Sequence, residues 1–160
     1  MYKVVLGLGS NLGNREDYLK RGLFYLRRFI KDMKISNIYV SRAFGFEKQP
    51  EFYNMAVLGY TDLPPFTLLD RIKQVERAVG RRERFRWGPR EIDIDIIFYD
   101  WLVMETERLI IPHRHSHIRD FVLLPVYQLQ PDLIHPKELK SIKQLLQSTP
   151  YRTVHKVIHR

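Results

Sequence analysis

The 160-residue chain contains no cysteine, so a disulfide framework and a metal site built on thiolates are both excluded. No apolar run approaches the roughly 20 residues that a membrane-spanning helix needs. The N-terminus carries a short apolar stretch but not the pattern of a secretory signal. These absences predict a cytoplasmic protein that does not have a membrane as its partner.

Acidic residues are in the minority, and the formal net charge is +9. That charge favours an anionic partner, such as nucleic acid or a phosphorylated small molecule. Arginine occupies five of the ten positions 81–90, although a solvated basic face would explain the same pattern. The chain length suits a single domain with a sizeable core, and we expect residues 1–160 to form it.

Hydrophobic spacing predicts the element order βαββαβ over the first 100 residues. We expect strands at 2–8, 35–41, 52–61 and 92–99, a helix whose apolar positions run from Leu19 to Ile30, and a second helix from Pro64 to Gly80. This order is typical of an α+β, ferredoxin-like fold, in which an antiparallel sheet carries its helices on one face. A C-terminal extension should add a short strand at 108–112 and helices at 121–129 and 141–147. The final tail is either a strand or a disordered basic end.

The last strand of this core carries two aspartates, Asp93 and Asp95. Aspartate is disfavoured in strands, and residues two apart point to the same face of a sheet. If the neighbouring isoleucines face the helices, both carboxylates must face the other side. Two carboxylates so close either share a proton or bind a cation, and Mg²⁺ is usually held by one or two carboxylates plus substrate phosphates. The alternatives are a solvated sheet face and salt bridges to the nearby arginines.

A glycine-rich motif and a run of alternating histidines suggest a nucleotide-binding loop and a zinc site, but neither fits the pattern that such a site requires. In GLGSNLG the glycines stand at 7, 9 and 13, which does not match a dinucleotide or Walker loop, so we expect a tight turn there. His113, His115 and His117 alternate without an interleaved carboxylate or cysteine, which argues against zinc. A single histidine that donates to a phosphate, with Arg119 nearby, fits this segment better.

Aromatic residues near the aspartate strand suggest a flat binding surface. Phe52, Trp87 and Phe121, together with the amide of Asn54, would suit a planar heterocycle, although aromatic residues can equally be part of a core.

Five ordered motifs point to one enzyme family. They are RWGPREIDIDII at 86–97, GSNLGN at 9–14, QPEFYN at 49–54, VERAVGR ending at Arg81, and PH followed by RDFVLLPV from Pro112. From Gly7 to about Pro136 the sequence resembles the 6-hydroxymethyl-7,8-dihydropterin pyrophosphokinases. The resemblance implies a ferredoxin-like fold and the transfer of diphosphate from ATP to the hydroxymethyl-dihydropterin, giving AMP, in tetrahydrofolate biosynthesis.

Carried over by motif position, the resemblance assigns a role to each candidate site residue. The catalytic set would be Asp93, Asp95, Arg81 and Arg90, with the two aspartates holding two Mg²⁺ ions. The contacts to ATP would come from Glu76, Arg82, Arg84, Arg86, His113 and Arg119. The pterin would contact Ser41, Ala43, Phe44, Phe52, Asn54, Trp87 and Phe121, with its ring between the two phenylalanines at 52 and 121. We also expect a monomer without a nucleic-acid partner.

The chain departs from the family pattern in three places. Ala43 stands where the family often has proline, Lys73 stands where glutamine is common, and residues 114–118 differ from the usual run after Pro112-His113. We expect these differences to change loop dynamics and binding strength, not the reaction.

Three other functions are weaker. An RRM-like nucleic-acid-binding module shares the βαββαβ order, but the segment FYNMAVLGY at 52–60 lacks the aromatic-rich pattern that such modules need on the third strand. A metal nuclease would need a further acidic cluster. A catalytically inactive relative would not be expected to keep both aspartates.

Overall fold

A computed structural model describes residues 1–43, 48–85, 88–150 and 152–160. Its strands are β1 Tyr2–Ser10, β2 Lys31–Ile35, β3 Ile38–Ser41, β4 Phe52–Thr61, β5 Asp93–Tyr99, β6 Met104–Glu105, β7 Ile110–Ile111 and β8 Val154–Ile158. Its helices are α1 Arg15–Leu26, α2 Pro65–Val79, α3 Asp120–Leu129 and α4 Ile142–Ser148. Among the described residues, no helix is long and apolar enough to cross a membrane.

The main sheet has the order β5-β1-β4-β3-β8, with β2 also paired to β4. The pairs are antiparallel, and α1 and α2 connect the strands as the predicted βαββαβ order requires. The predicted strand at 35–41 is wrong in its bounds, because two strands occupy this region. Ser36 lies at the break, where its backbone N–H donates to the Ala56 carbonyl at 3.0 Å and its hydroxyl accepts from the Ala56 N–H at 2.9 Å. The buried serine thereby replaces regular strand pairing at this point.

The main core lies between the sheet and the pair α1 and α2. Leu19, Leu23 and Leu26 of α1 are buried in the same cluster as Ile94 and Ile96 of β5. The isoleucines of β5 therefore face the helices, as the alternating pattern predicts. The first helix is shorter than its apolar spacing suggests, since it ends at Leu26 and Ile30 is buried in the segment that follows.

A second, smaller core covers part of the opposite sheet face. Leu123 and Val126 of α3 and Ile142 and Leu145 of α4 are buried against residues of three strands, namely Val5, Ala56, Leu58, Ile97 and Phe98. The two helices of the βαββαβ core lie on one face, as predicted, and the C-terminal extension packs on the other. The rest of that face stays open, and Asp93 and Asp95 lie there.

The C-terminal tail is a strand and not a disordered end. β8 pairs antiparallel with β3, with Ile38 opposite Ile158 and Val40 opposite Lys156. The predicted strand at 108–112 is reduced to β7, which pairs with β6 in a separate two-stranded sheet. The tail thus extends the main sheet beyond the βαββαβ core.

His135 is a buried histidine that is held neutral. Its side chain is 2% exposed, and its Nδ1 accepts from the backbone N–H groups of Lys137 at 3.2 Å and Glu138 at 3.0 Å. Its Nε2 lies 3.2 Å from the Ser116 hydroxyl. Burial lowers the pKa of His135 from 6.5 to about 4. Protonation at Nδ1 would remove the acceptor from both backbone groups.

We expect His135 to make the free energy of unfolding depend on pH between 6.5 and about 4. Because the folded-state pKa is the lower one, the unfolded chain binds more protons in this window, and stability is lost as pH falls. The loss should approach about 3 kcal/mol at the acid end. Urea unfolding should show this slope in wild type and in the exposed control His159→Gln, but not in His135→Gln. Equal slopes in wild type and His135→Gln would contradict the assignment.

Candidate active site

A cleft opens on the uncovered face of the sheet, between the start of α3 and strands β1, β3, β4 and β5. Its cavity volume is about 120 Å³, and the open solvent at its mouth brings the empty space to about 840 Å³. A second, more basic cleft adjoins it and is lined by Lys73, Arg108 and His113 among others. Asp93 and Asp95 line both clefts, so the two carboxylates lie where the clefts meet.

Asp93 is held by two arginines. Its Oδ1 accepts from Arg81 Nη1 at 2.9 Å, and its Oδ2 accepts from Arg90 Nη1 at 3.2 Å. Asp93 therefore forms salt bridges with the neighbouring arginines, which was the alternative interpretation of the sequence. Both arginines come from the segment between α2 and β5, which brings them to the start of the aspartate strand.

Glu76 lies behind this cluster on α2 and is 2% exposed. Its Oε2 accepts from Arg81 Nη1 and from the Ile94 backbone N–H, both at 2.8 Å, and Lys73 Nζ lies 3.6 Å from Oε1. Burial raises the pKa of Glu76, and the charge of Asp93 raises it further. Although burial alone would lower the pKa of Arg81, the charges of Asp93 and Glu76 raise it. Glu76 thus positions Arg81 and the first residues of β5.

Asp95 is less neutralised than Asp93. Its side chain keeps 36% of its surface exposed, and its Oδ1 lies 3.6 Å from His113 Nε2. Burial, then the charges of Asp93 and Glu76, raise the pKa of Asp95 well above its ordinary value. Burial also lowers the pKa of His113, so the histidine is neutral at pH 7 and does not balance the charge. Asp95 is therefore the less compensated of the two carboxyl groups where the clefts meet.

The first cleft has aromatic walls and a narrow floor. Phe52 and Phe121 both line it, each with a guanidinium nearby: Arg90 lies 5.9 Å from the Phe52 ring centre and Arg119 lies 5.7 Å from that of Phe121. On the floor, a methyl group on Gly9 would come within 3.5 Å of the Phe52 ring. The expectation of a tight turn across GLGSNLG is wrong for its first two glycines, which belong to β1, whereas Gly13 has a positive φ of 67°.

Asn54 fixes the inner end of this cleft. Its side-chain nitrogen donates to the Tyr39 carbonyl at 2.8 Å and to the Ser41 hydroxyl at 2.9 Å. Because a flipped amide would leave the buried Tyr39 carbonyl without its donor, these bonds fix the orientation of the amide. The Asn54 Oδ1 is then the atom that is left to accept from a ligand.

Other predicted residues lie farther out. Arg84 pairs with Glu91 through Nη2 and Oε2 at 2.8 Å, and this hydrogen bond lowers the pKa of Glu91 to about 2. Arg82 and Arg84 line a hollow beside α2 and not the aspartate junction. Ala43 is not among the described residues that line the cleft. Three predicted residues, Phe44, Arg86 and Trp87, lie outside the described residues.

Sequence reasoning missed Asn11, which is fully buried behind the site. Its Oδ1 accepts from the Arg90 N–H at 2.8 Å, and its Nδ2 donates to Gln49 Oε1 at 2.6 Å and to the Pro50 carbonyl at 3.2 Å. It therefore joins the segment that carries Arg90 to the one that leads into Phe52. Its place inside the GSNLGN motif was the available signal. Arg42 and Arg108, which line the first and the second cleft, were missed as well.

Three comparisons with known proteins agree. The family model for 7,8-dihydro-6-hydroxymethylpterin-pyrophosphokinase (HPPK) matches residues 5–131. A 2-amino-4-hydroxy-6-hydroxymethyldihydropteridine pyrophosphokinase from Aquifex aeolicus is 46% identical over 144 residues, covering 90% of this chain and 90% of that protein. One from Bacillus subtilis is 41% identical over 126 residues, covering 78% of this chain and 75% of that protein.

A solved structure of HPPK-DHPS from Plasmodium falciparum is similar to this chain with a TM-score of 0.71 and 16% sequence identity. The match covers 92% of this chain and 43% of that one, so this chain spans less than half the length of the solved protein. At this identity the likeness shows the fold alone, and it agrees with the antiparallel α+β architecture described above.

We expect Glu76→Ala to lower the free energy of unfolding by about 1–3 kcal/mol, because the buried Ile94 N–H and Arg81 each lose their acceptor. Glu76→Gln should cost less, since its side-chain oxygen still accepts from Ile94. Urea unfolding measures both, with the exposed Glu83→Ala as control. A loss for Glu76→Ala no larger than that of the control would contradict the positioning role.

Proposed function

The chain belongs to the 7,8-dihydro-6-hydroxymethylpterin-pyrophosphokinase family, and from that membership we propose how its two clefts carry out the reaction. The activity is the transfer of a diphosphate group from ATP to 6-hydroxymethyl-7,8-dihydropterin, in folate biosynthesis. The observation that carries the site assignment is the meeting of an aromatic cleft and a basic cleft at two carboxylates.

We place the pterin in the aromatic cleft. Phe52 and Phe121 offer flat apolar surfaces for its ring, which suits stacking. Asn54 Oδ1 accepts from the edge of the heterocycle, because the amide nitrogen already donates to Tyr39 and Ser41. The hydroxymethyl group then points toward Asp93 and Asp95, where the second cleft begins.

The triphosphate of ATP occupies the basic cleft. Lys73, Arg90, His113 and Arg119 line it, and Arg81 adjoins it through Asp93. Guanidinium groups suit phosphate oxygens because they donate two parallel hydrogen bonds. His113 remains neutral near pH 7 and contributes a hydrogen bond to a phosphate, not a charge.

The two carboxylates fit a divalent cation. They lie on one face of β5 and both line the clefts. Burial, and then the charges of Asp93 and Glu76, raise the pKa of Asp95. The described residues hold no group of three or more potential metal ligands, which suits Mg²⁺, since substrate phosphates and water complete its shell. Two Mg²⁺ ions on Asp93 and Asp95 would neutralise the triphosphate and orient the hydroxyl nucleophile.

Arg81 and Arg90 change partners during the reaction. In this structure both hold Asp93, and with the nucleotide bound they would turn to its phosphate oxygens. The pterin hydroxyl oxygen then attacks the β-phosphorus and loses its proton to water. The bond to the oxygen bridging the α- and β-phosphates breaks, and AMP leaves with that oxygen. The guanidinium groups stabilise the charge that grows on the phosphate oxygens.

We propose that the protein acts as a monomer in the cytoplasm. The family match gives no support to an RRM-like nucleic-acid-binding function. Aspartates at the centre of the open face would also repel a phosphate backbone.

With ATP, Mg²⁺ and the hydroxymethyl-dihydropterin, we expect the enzyme to release AMP and not ADP. Asp95→Ala should lower turnover by at least about 100-fold and leave the melting temperature near that of wild type, because the charge acts on the bound substrates. The exposed Asp62→Ala is the control for loss of one acidic group. Release of ADP by wild type, or full turnover by Asp95→Ala at saturating Mg²⁺, would contradict the proposal.

We expect Arg81→Ala to lower kcat/KM for ATP by at least about tenfold, as loss of a charged hydrogen bond implies, while the pterin dissociation constant changes less than about twofold. Arg81→Lys should recover part of the loss, and the exposed Arg77→Ala should behave as wild type. Steady-state kinetics and pterin titration measure these effects. Collapse of pterin affinity alone would show that Arg81 does not act on phosphate.

A further inference from the structure

Asp120 is a buried carboxylate at the first position of α3, between Arg119 and Phe121. It is 3% exposed. Its Oδ2 accepts from the backbone N–H groups of Thr153 at 2.7 Å and Val154 at 2.8 Å, and its Oδ1 accepts from the Thr153 hydroxyl at 2.5 Å. Since a buried charge is costly without partners, these bonds tie the start of α3 firmly to the C-terminal segment.

Thr153 carries the connection on to β3. Its carbonyl accepts from the Arg42 N–H at 3.2 Å, and in the strand that follows Val154 lies opposite Ser41. Ser41, Arg42 and Phe121 all line the aromatic cleft. The chain of contacts from Asp120 through Thr153 to Arg42 therefore links two walls of that cleft.

The C-terminal strap, residues 149–150 and 152–154, is anchored on both sides of this link. Thr149 is buried, and its hydroxyl donates to the Ile118 carbonyl just before α3. Just beyond the strap, His155 contacts the carboxylate of Glu51, the residue before Phe52. The family model matches residues 5–131, so the strap lies outside the matched part of the chain, whereas Asp120 lies inside it.

We propose that Asp120 is a positioning residue for the pterin: by holding Thr153 it sets the separation between the α3 wall and the β3 wall of the aromatic cleft. The identity of the ligand rests on the proposed function. The effect falls mainly on the pterin, because Arg119 alone of the residues assigned to the triphosphate adjoins Asp120. Lys73, Arg81, Arg90 and His113 belong to α2 or to segments next to α2 and β5.

The test compares full-length Asp120→Ala and Asp120→Asn with wild type and with Asp132→Ala, an exposed carboxylate that controls for the change in charge. Calorimetry measures binding of a non-hydrolysable ATP analogue with Mg²⁺, then of the pterin to that complex, at a temperature where circular dichroism shows each variant folded. We expect Asp120→Ala to weaken the pterin by at least about tenfold and the ATP analogue by less than about threefold. Asp132→Ala should match wild type.

Asp120→Asn should recover part of the pterin affinity, because its side-chain oxygen still accepts both backbone N–H groups. Thr153→Val loses only the hydroxyl bond and should weaken the pterin by about twofold to fivefold. Amide hydrogen exchange gives a second readout: Asp120→Ala should speed exchange at Arg42 and Val154. If Asp120→Ala does not fold, Asp120→Asn and Thr153→Val test the positioning role in its place. Pterin affinity equal to that of wild type in both variants would overturn the inference.

Two further outcomes would overturn it. One is unchanged pterin affinity in folded Asp120→Ala, and the other is an equal loss of affinity for both ligands. A wild-type chain that binds no pterin at all would overturn the proposed function and this inference together, whereas pterin binding that Asp120→Ala leaves unchanged would overturn the inference alone.

Discussion

Repulsion between two carboxylates on one face of β5 is the constraint around which the site is arranged. Asp93 is neutralised by Arg81 and Arg90, whereas Asp95 lies 3.6 Å from a neutral histidine. The fold keeps this imbalance next to the buried Glu76, which adds a third acidic group. A chain selected for stability alone would not be expected to keep three carboxylates together, so the arrangement makes sense as a place for cations that arrive with a substrate.

The alternation of side chains along the sheet allows these carboxylates to lie beside a packed core. Alternation along β5 sends Ile94 and Ile96 into the main core and both aspartates to the other face. The C-terminal helices pack on only part of that face, so an open strip remains, floored by Gly7 and Gly9 and walled by Phe121. The same strand is thus a core element on one side and the centre of the site on the other.

Much of this could be predicted from the sequence, because period and motif spacing are local properties. They indicated the βαββαβ order, the facing of Asp93 and Asp95, and the aromatic walls. What the sequence did not show depends on contacts between distant residues: the packing of α3 and α4 on the second face, the pairing of the tail with β3, and the buried Asn11 between two loops. The choice of ion-pair partners could not be predicted either. Residue spacing does not show that Arg84 pairs with Glu91 while Arg81 pairs with Asp93.

Anomalous diffraction from crystals grown with Mn²⁺ and a non-hydrolysable ATP analogue tests the central claim most directly. The account predicts manganese peaks at the Asp93 and Asp95 carboxylates, with Arg81 and Arg90 moved from Asp93 onto phosphate oxygens. Nucleotide bound elsewhere, or a nucleotide complex in which both arginines still hold Asp93 and the carboxylates carry no metal, would contradict it.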